Sequence, residues 1–387
     1  MQNKAELKGR ALAFLFLLWT LWFMNIGIRA VFSPILPIIE DEFSITHARA
    51  SSIYLLQSAG YGVSIFFAGL YAGAFGYKKS IILCLFLGAA ACFLVPFART
   101  VSMLYALACV SGVAAGIYLP SAIPLITHYF AERQWGKSIA IHDSAASFSI
   151  VSVPLIALSI LHFLPWRGIF IVFGSVFCAC AVSFTLASDE VRVVRPAARV
   201  HADLFKNRAL WIIAATWIAA SGAYWGVYFT IPLFLTKELS LSIGYASTTL
   251  GLSRLGGIAV AIMCGVLVDK FSLRKITFTM LLSSGLLTIA VGASSARLVG
   301  VALFFQVICV TGFFPMGLVA IAKMFGTEVR GMATGVILTC SLLAGSGLGA
   351  YLLGLSGDLV SFRVGYICLG CLVALSSFLL FYLKGLD

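Results

Sequence analysis

From Ala11 to Ile39 the chain is almost continuously apolar, and runs of similar length recur to its end. About 20 apolar residues span a bilayer as a helix. Twelve such runs can be traced, at about 11–38, 50–73, 80–98, 101–129, 138–164, 168–188, 209–236, 243–268, 276–296, 298–322, 332–356 and 364–383. Only 10% of the 387 residues are charged, against about a quarter in soluble domains. In hydrocarbon each backbone polar group must be satisfied within the segment or a closed barrel. Runs of this length, rich in Leu, Ile, Phe and Ala, therefore predict an all-α polytopic membrane protein. The first run is too long for a signal peptide, so none is expected.

The net charge of +12 could suggest nucleic acid, but its distribution argues against that. An even number of spans places both termini on one side. That side collects 18 of the 26 Lys and Arg residues, the other six, and two lie inside spans. Basic loops mark the cytoplasm. The expectation is a multi-pass protein of the cell (inner) membrane with both termini cytoplasmic, and the basic excess records topology. The ten cysteines all fall in spans with no histidine partner, which reads as packing rather than metal or redox chemistry.

The chain repeats itself. GLYAGAFGYKK (69–79) and GVLVDKFSLRK (265–275) align at an offset of 196, and GKSIAI at Gly136 aligns with GMATGV at Gly331 at an offset of 195. This predicts a six-helix bundle over 1–188, a cytoplasmic linker over 189–208 and a second six-helix bundle over 209–387. GVLVDKFSLRK resembles the loop signature of the major facilitator superfamily, G-x-L-x-D-[RK]-x-G-[RK]-[RK]. The twelve spans, the 6+6 repeat and TEVRGMATG (327–335) fit as well, so the resemblance covers essentially the whole chain. Gly73 stands where the family usually has Asp, and Ser272 where it has Gly. The resemblance implies the major facilitator fold, alternating access, and a gating role for Gly69, Gly76, Gly265, Asp269 and Arg274.

Three charges lie within spans: Arg29, Asp143 and Arg254. Insertion of one charge at a helix centre costs about 2.5–3.5 kcal/mol, so each is a functional candidate. Two guanidiniums and one carboxylate leave a positive excess that a substrate anion can neutralise. The guanidinium fork binds carboxylate, phosphate or sulfonate oxygens in pairs and does not lose its proton. Asn25 precedes Arg29 by one turn. At the positions 196 away, Arg254 is matched near Gln57 and Tyr61, and Arg29 is matched between Tyr224 and Tyr228. Tyr118 and Gln306 are further polar residues in spans. The expected substrate-binding set is Arg29, Arg254, Asn25, Gln57, Tyr61, Tyr118, Tyr224 and Tyr228.

His142 and Asp143 lie near the start of the fifth span. Burial disfavours a charged carboxylate, and imidazole titrates near neutrality, which suggests protons as the coupling ion. The alternative is an interfacial Asp143 paired with Arg133 or Lys137. Glycine-rich runs at 112–118 and 345–354 allow close helix approach.

The leading expectation is a monomeric secondary transporter of a small organic anion, a carboxylate, by proton symport. The resemblance extends to the organic-anion and monocarboxylate branches. A proton-driven exporter of drugs or metabolites, and a lipid flippase or non-transporting sensor, remain alternatives. No cofactor, metal or nucleic-acid partner is expected. No phosphate-binding loop or nucleophile constellation argues for an enzyme.

Overall fold

The computed structural model describes residues 7, 9–189, 191, 202–258, 260, 272–383 and 385–386. It is all-helical. The helices are α1 Gly9–Ala30, α2 Phe32–Phe43, α3 His47–Phe66, α4 Ala68–Leu94, α5 Val101–Tyr129, α6 Trp135–Leu161 and α7 Trp166–Ala187. After the linker come α8 Arg208–Glu238, α9 Ile243–Ser253, α10 Leu273–Ala293, α11 Val299–Met324, α12 Glu328–Leu359 and α13 Phe362–Ser377. Among the described residues, ten helical stretches are long and apolar enough to cross a membrane. The two remaining expected spans coincide with α3, whose interior carries Ser51, Ser52, Gln57, Ser58 and Ser64, and with α9, whose continuation lies outside the described residues. The chain is a multi-pass membrane protein.

Local chemistry explains the breaks. The first span is interrupted at Val31, between α1 and α2. Pro34 has no N–H with which to bond the carbonyl four residues back, at Ala30, so the helical ladder is broken at this point. The loop signature at 69–79 turns on a single residue, Gly76 (φ 79°, ψ 168°), in a region essentially restricted to glycine. Helix starts at α5, α8, α9 and α13 are capped by the side chains of Thr100, Asn207, Ser242 and Ser361.

The residues fall into two compact units, Met1–Phe32 with Leu56–Ala197, and Ser33–Leu55 with Ala198–Asp387. In the first, α1 packs on α5, α6 and α7, and α4 on α5 and α7. Gly60 and Gly112 bring α3 and α5 into backbone contact. A Cβ on Gly112 would lie 2.0 Å from the Gln57 carbonyl oxygen, and one on Gly60 2.2 Å from that of Cys109. In the second, α10 packs on α13 and α11. Gly285 and Gly370 play the corresponding part there, with a Cβ on Gly370 2.6 Å from the Gly285 carbonyl oxygen.

The sequence repeat is repeated in three dimensions. Arg167 donates to the Ala98 carbonyl (3.3 Å) beyond the end of α4, and Arg363 donates to the Ser294 carbonyl (2.9 Å) beyond the end of α10. Donor and acceptor are both displaced by 196 positions. Lys78 donates to the Thr185 and Ser188 carbonyls at the end of α7, and Arg274, 196 positions on, to the Leu383 carbonyl (2.8 Å). Cations at helix C-termini satisfy orphan carbonyls and oppose the helix dipole.

In the second unit, α2 and the start of α3 are held by charge. Glu40 accepts from His47 Nδ1 (2.7 Å) and lies 3.6 Å from Lys237, which also meets Asp41. Asp358 accepts from the first two backbone amides of α3, His47 (2.8 Å) and Ala48 (2.9 Å). The hydrogen bond from Glu40 raises the His47 pKa above its ordinary 6.5; burial and Lys237 oppose this, and the charge of Asp358 assists. A raised histidine pKa stabilises fully below 6.5 and loses that contribution as pH rises through the raised value. The melting temperature of wild type relative to His47→Gln is therefore expected to fall as pH rises above 6.5. The charge-assisted bond contributes about 1 kcal/mol after discounting for partial exposure. A difference that does not change with pH would show that the imidazolium is not retained.

Candidate functional site

Each unit contains one buried arginine lying over tyrosine, and the helices exchange roles between the repeats. In the first unit Arg29, 4% exposed, is in the last turn of α1, and its guanidinium lies 4.3 Å from the ring centroid of Tyr61 on α3. In the second unit the tyrosines are on α8, in the position of the first helix, and the arginine follows α9, in the position of the second. Arg254 is 3% exposed, with its guanidinium 5.0 Å from the ring of Tyr224 and 4.9 Å from that of Tyr228. A desolvated cation over an aromatic face gains about 2 kcal/mol. Tyr224 lies in a π-helical turn, Gly222–Gly226, that interrupts α8; such turns are frequent at functional sites.

Arg254 is electrically incomplete. Nε and both Nη atoms have no hydrogen-bond partner. The Tyr224 hydroxyl lies near the guanidinium without forming an aligned bond. Leaving a charged donor buried and unsatisfied costs several kcal/mol, more than two aromatic faces return. A fixed cation with five unused N–H donors is built for an oxyanion.

The other expected residues of the first unit join helices. Asn25 donates to the Ala115 carbonyl (3.1 Å), while its own amide oxygen has no partner. Gln57 donates to the Ile28 carbonyl (3.2 Å) and Ser111 Oγ (3.0 Å), which fixes α3 to α1 and α5 one turn from Tyr61. In the second unit Gln306 donates to the Ala223 carbonyl (2.8 Å), at the π-helical turn.

Tyr118, His142 and Asp143 come together around Trp22, which the sequence reading passed over. Tyr118 donates to the Leu18 carbonyl (2.8 Å), and its hydroxyl lies 3.1 Å from His142 Nε2. The Trp22 ring stacks on Tyr118 (5.5 Å) and on His142 (5.8 Å), and its indole N–H points to Asp143 Oδ1 (3.3 Å). His142 is fully buried with Nδ1 unpartnered, and Asp143 sits on the exposed flank of α6. A signal for Trp22 existed: it precedes Asn25 by three residues and Arg29 by seven, on one helical face.

Of the gating residues, Gly76 forms the turn and Arg274 holds the Leu383 carbonyl. Gly69 lies in the first turn of α4. Gly265 and Asp269 lie outside the described residues.

Comparison with known proteins agrees with this architecture. Residues 18–296 and 223–386 match the Major Facilitator Superfamily. A probable sulfoacetate transporter of Cupriavidus necator is 23% identical over 274 residues, 65% of this chain and 62% of its own length, so the match spans less than two thirds of that relative. A gallate transporter of Pseudomonas putida is 24% identical over 318 residues, 70% of each chain. Among solved structures, a nucleoside transporter superposes with a TM-score of 0.81 at 13% identity, covering 95% of this chain and 99% of that one. A D-xylose–proton symporter gives 0.78 at 16% identity, covering 97% and 99%. At those identities the structures speak for the fold. Both curated relatives are named as transporters. The chain belongs to the major facilitator superfamily.

Proposed function

We propose that this protein is a secondary transporter that carries a small organic anion, a carboxylate, across the inner membrane together with protons. The observation that carries this reading is Arg254, a buried guanidinium with all three nitrogens unpartnered. Arg29 is proposed as a second cation for the anion, and Asn25, Gln57, Tyr61, Tyr118, Tyr224 and Tyr228 as the polar and aromatic setting of the two arginines. The names of the curated relatives support the class, since sulfoacetate and gallate are both organic anions with a carboxylate group. The six-helix repeats 1–188 and 209–387 are proposed as the moving bodies of a monomer, joined by the 189–208 linker, with both termini cytoplasmic. Gly69, Gly76, Gly265, Asp269 and Arg274 are assigned to gating.

His142 and Asp143 are assigned to proton coupling, because both sit on one indole ring and one of them also meets Tyr118. The test is uptake into proteoliposomes of labelled sulfoacetate and gallate, with and without an inward proton gradient. Wild type is expected to concentrate at least one of them only when the gradient is imposed. Asp143→Asn is expected to lose gradient-driven accumulation while keeping anion exchange at equal pH. Accumulation by the variant equal to wild type would remove Asp143 from the coupling path. Absence of anion transport under every condition would defeat the anion reading itself.

A further inference from the structure

Tyr54 was not among the residues that the sequence marked. It lies on α3, within the Ser33–Leu55 segment that packs in the second unit, and is fully buried. Its ring stacks on Phe229 of α8 at 3.8 Å and 8°. The next helical residue, Tyr228, covers the Arg254 guanidinium and is also fully buried. Ser33 Oγ donates to the Tyr228 carbonyl (2.6 Å), which ties the same segment to the same turn of α8. Neither the Tyr54 hydroxyl nor the Tyr228 hydroxyl forms an aligned hydrogen bond, although the Ser33 side chain lies near the Tyr54 hydroxyl. The two hydroxyls are close enough to interact electrostatically, and Tyr228 interacts in the same way with Arg254.

Two other fully buried tyrosines are satisfied. Tyr118 holds the Leu18 carbonyl, and Tyr366 shares a hydrogen bond with Thr230 Oγ1 (2.8 Å). Several serine and threonine hydroxyls among the described residues are also unpartnered, but these two phenols lie beside the orphan guanidinium, and a buried polar group left unpaired calls for an explanation. A guanidinium only donates, whereas a phenol hydroxyl both donates and accepts. The guanidinium is matched by an oxyanion, and the two phenols by a group that can answer in both directions.

We propose, resting on the reading of Arg254 as an anion ligand, that the Tyr54 and Tyr228 hydroxyls bind a hydroxyl substituent of the substrate. The substrate is then a hydroxylated organic anion, and Tyr54 is a specificity residue. A site built to hydrogen-bond a substrate hydroxyl discriminates strongly against the analogue that lacks it.

The test uses the full chain in detergent and two pairs of probes that differ by one hydroxyl, 4-hydroxybenzoate against benzoate and glycolate against acetate. Affinities are measured by calorimetry for wild type, Tyr54→Phe, Tyr228→Phe and Arg254→Met. Wild type is expected to prefer the hydroxylated member of at least one pair by about tenfold or more. Each Tyr→Phe variant is expected to lose that preference, and Tyr54→Phe, which lies outside the setting of the arginines, to do so without weaker binding of the plain anion. These variants remove only an orphan hydroxyl, so they should fold as wild type does, and their melting curves check this. Arg254-dependent binding with no preference for a hydroxyl, or a preference that survives both Tyr→Phe changes, overturns the inference and leaves the anion site standing. Binding of these anions undiminished in Arg254→Met defeats the anion reading, and this inference with it. A wild type that binds none of the four probes overturns the hydroxyl assignment.

Discussion

Arg254→Met is expected to abolish anion transport and at the same time to raise the melting temperature of the substrate-free protein. The two effects have one cause. In this structure the guanidinium is 3% exposed and no protein acceptor meets its nitrogens. Replacing such a charge with an apolar chain of similar length removes an uncompensated desolvation cost of several kcal/mol. With the anion bound, the same guanidinium makes charge-assisted bonds, and truncating one partner of a buried charged pair costs about 2–5 kcal/mol, or at least about 30-fold in affinity. A substrate that binds only the folded protein also raises the melting temperature by mass action, so ligand-induced stabilisation should vanish in the variant. The measurement is a pair of melting curves, with and without substrate, for each protein. A variant less stable than wild type in the absence of substrate would mean that Arg254 is structural, held by its tyrosines. A variant that still gains stability from substrate would place the anion elsewhere.

Gly112→Ala is expected to eliminate most of the folded protein, although it adds one methyl group. The new Cβ would lie 2.0 Å from the Gln57 carbonyl oxygen, 2.9 Å from its carbonyl carbon and 3.0 Å from the Tyr61 nitrogen. All three are backbone atoms of α3, so no rotamer change can make room. The helices must part, and close-packed interiors absorb such strain poorly. Overpacking typically costs 1–3 kcal/mol, and a clash with backbone belongs at or above the top of that range. Parting α3 from α5 also pulls Gln57 from Ser111 and shifts Tyr61 beneath Arg29. The control is Gly335→Ala, where nothing lies within 4 Å of the added carbon. Size-exclusion profiles of the two variants in detergent compare them directly. The control should match wild type, and a monodisperse Gly112→Ala peak of normal height would show that the seam is looser than its geometry.

The sequence reading and the structure agree where the physics is local or one-dimensional. Hydrocarbon thickness sets span length, so the helical class could be read from run length alone. The loop signature drew attention to Gly76, and its positive φ emerged only in the structure. The 196-residue repeat was visible as text, and it recurs as the Arg167 and Arg363 caps. The two arginines stood out because charge is rare in apolar runs.

What needed three dimensions is the distinction among residues of one type. Tyr54, Tyr118, Tyr228 and Tyr366 are all buried, but only the coordinates separate the hydroxyls that found acceptors from those that did not. Tyr54 lies three residues before Gln57 and seven before Tyr61, on the same face, so the spacing that marked those two covered it as well. Its neighbours Phe229 and Tyr228 are some 175 positions away, and no periodicity carries that information. Likewise, Trp22 joins Tyr118, His142 and Asp143 across three helices. The sequence by itself pointed to the long apolar segments and to which of them carry charge, because both follow from the cost of transferring each residue out of water. Tertiary structure alone decided which of those polar groups are satisfied, because a hydrogen bond depends on partners that the order of the chain does not place.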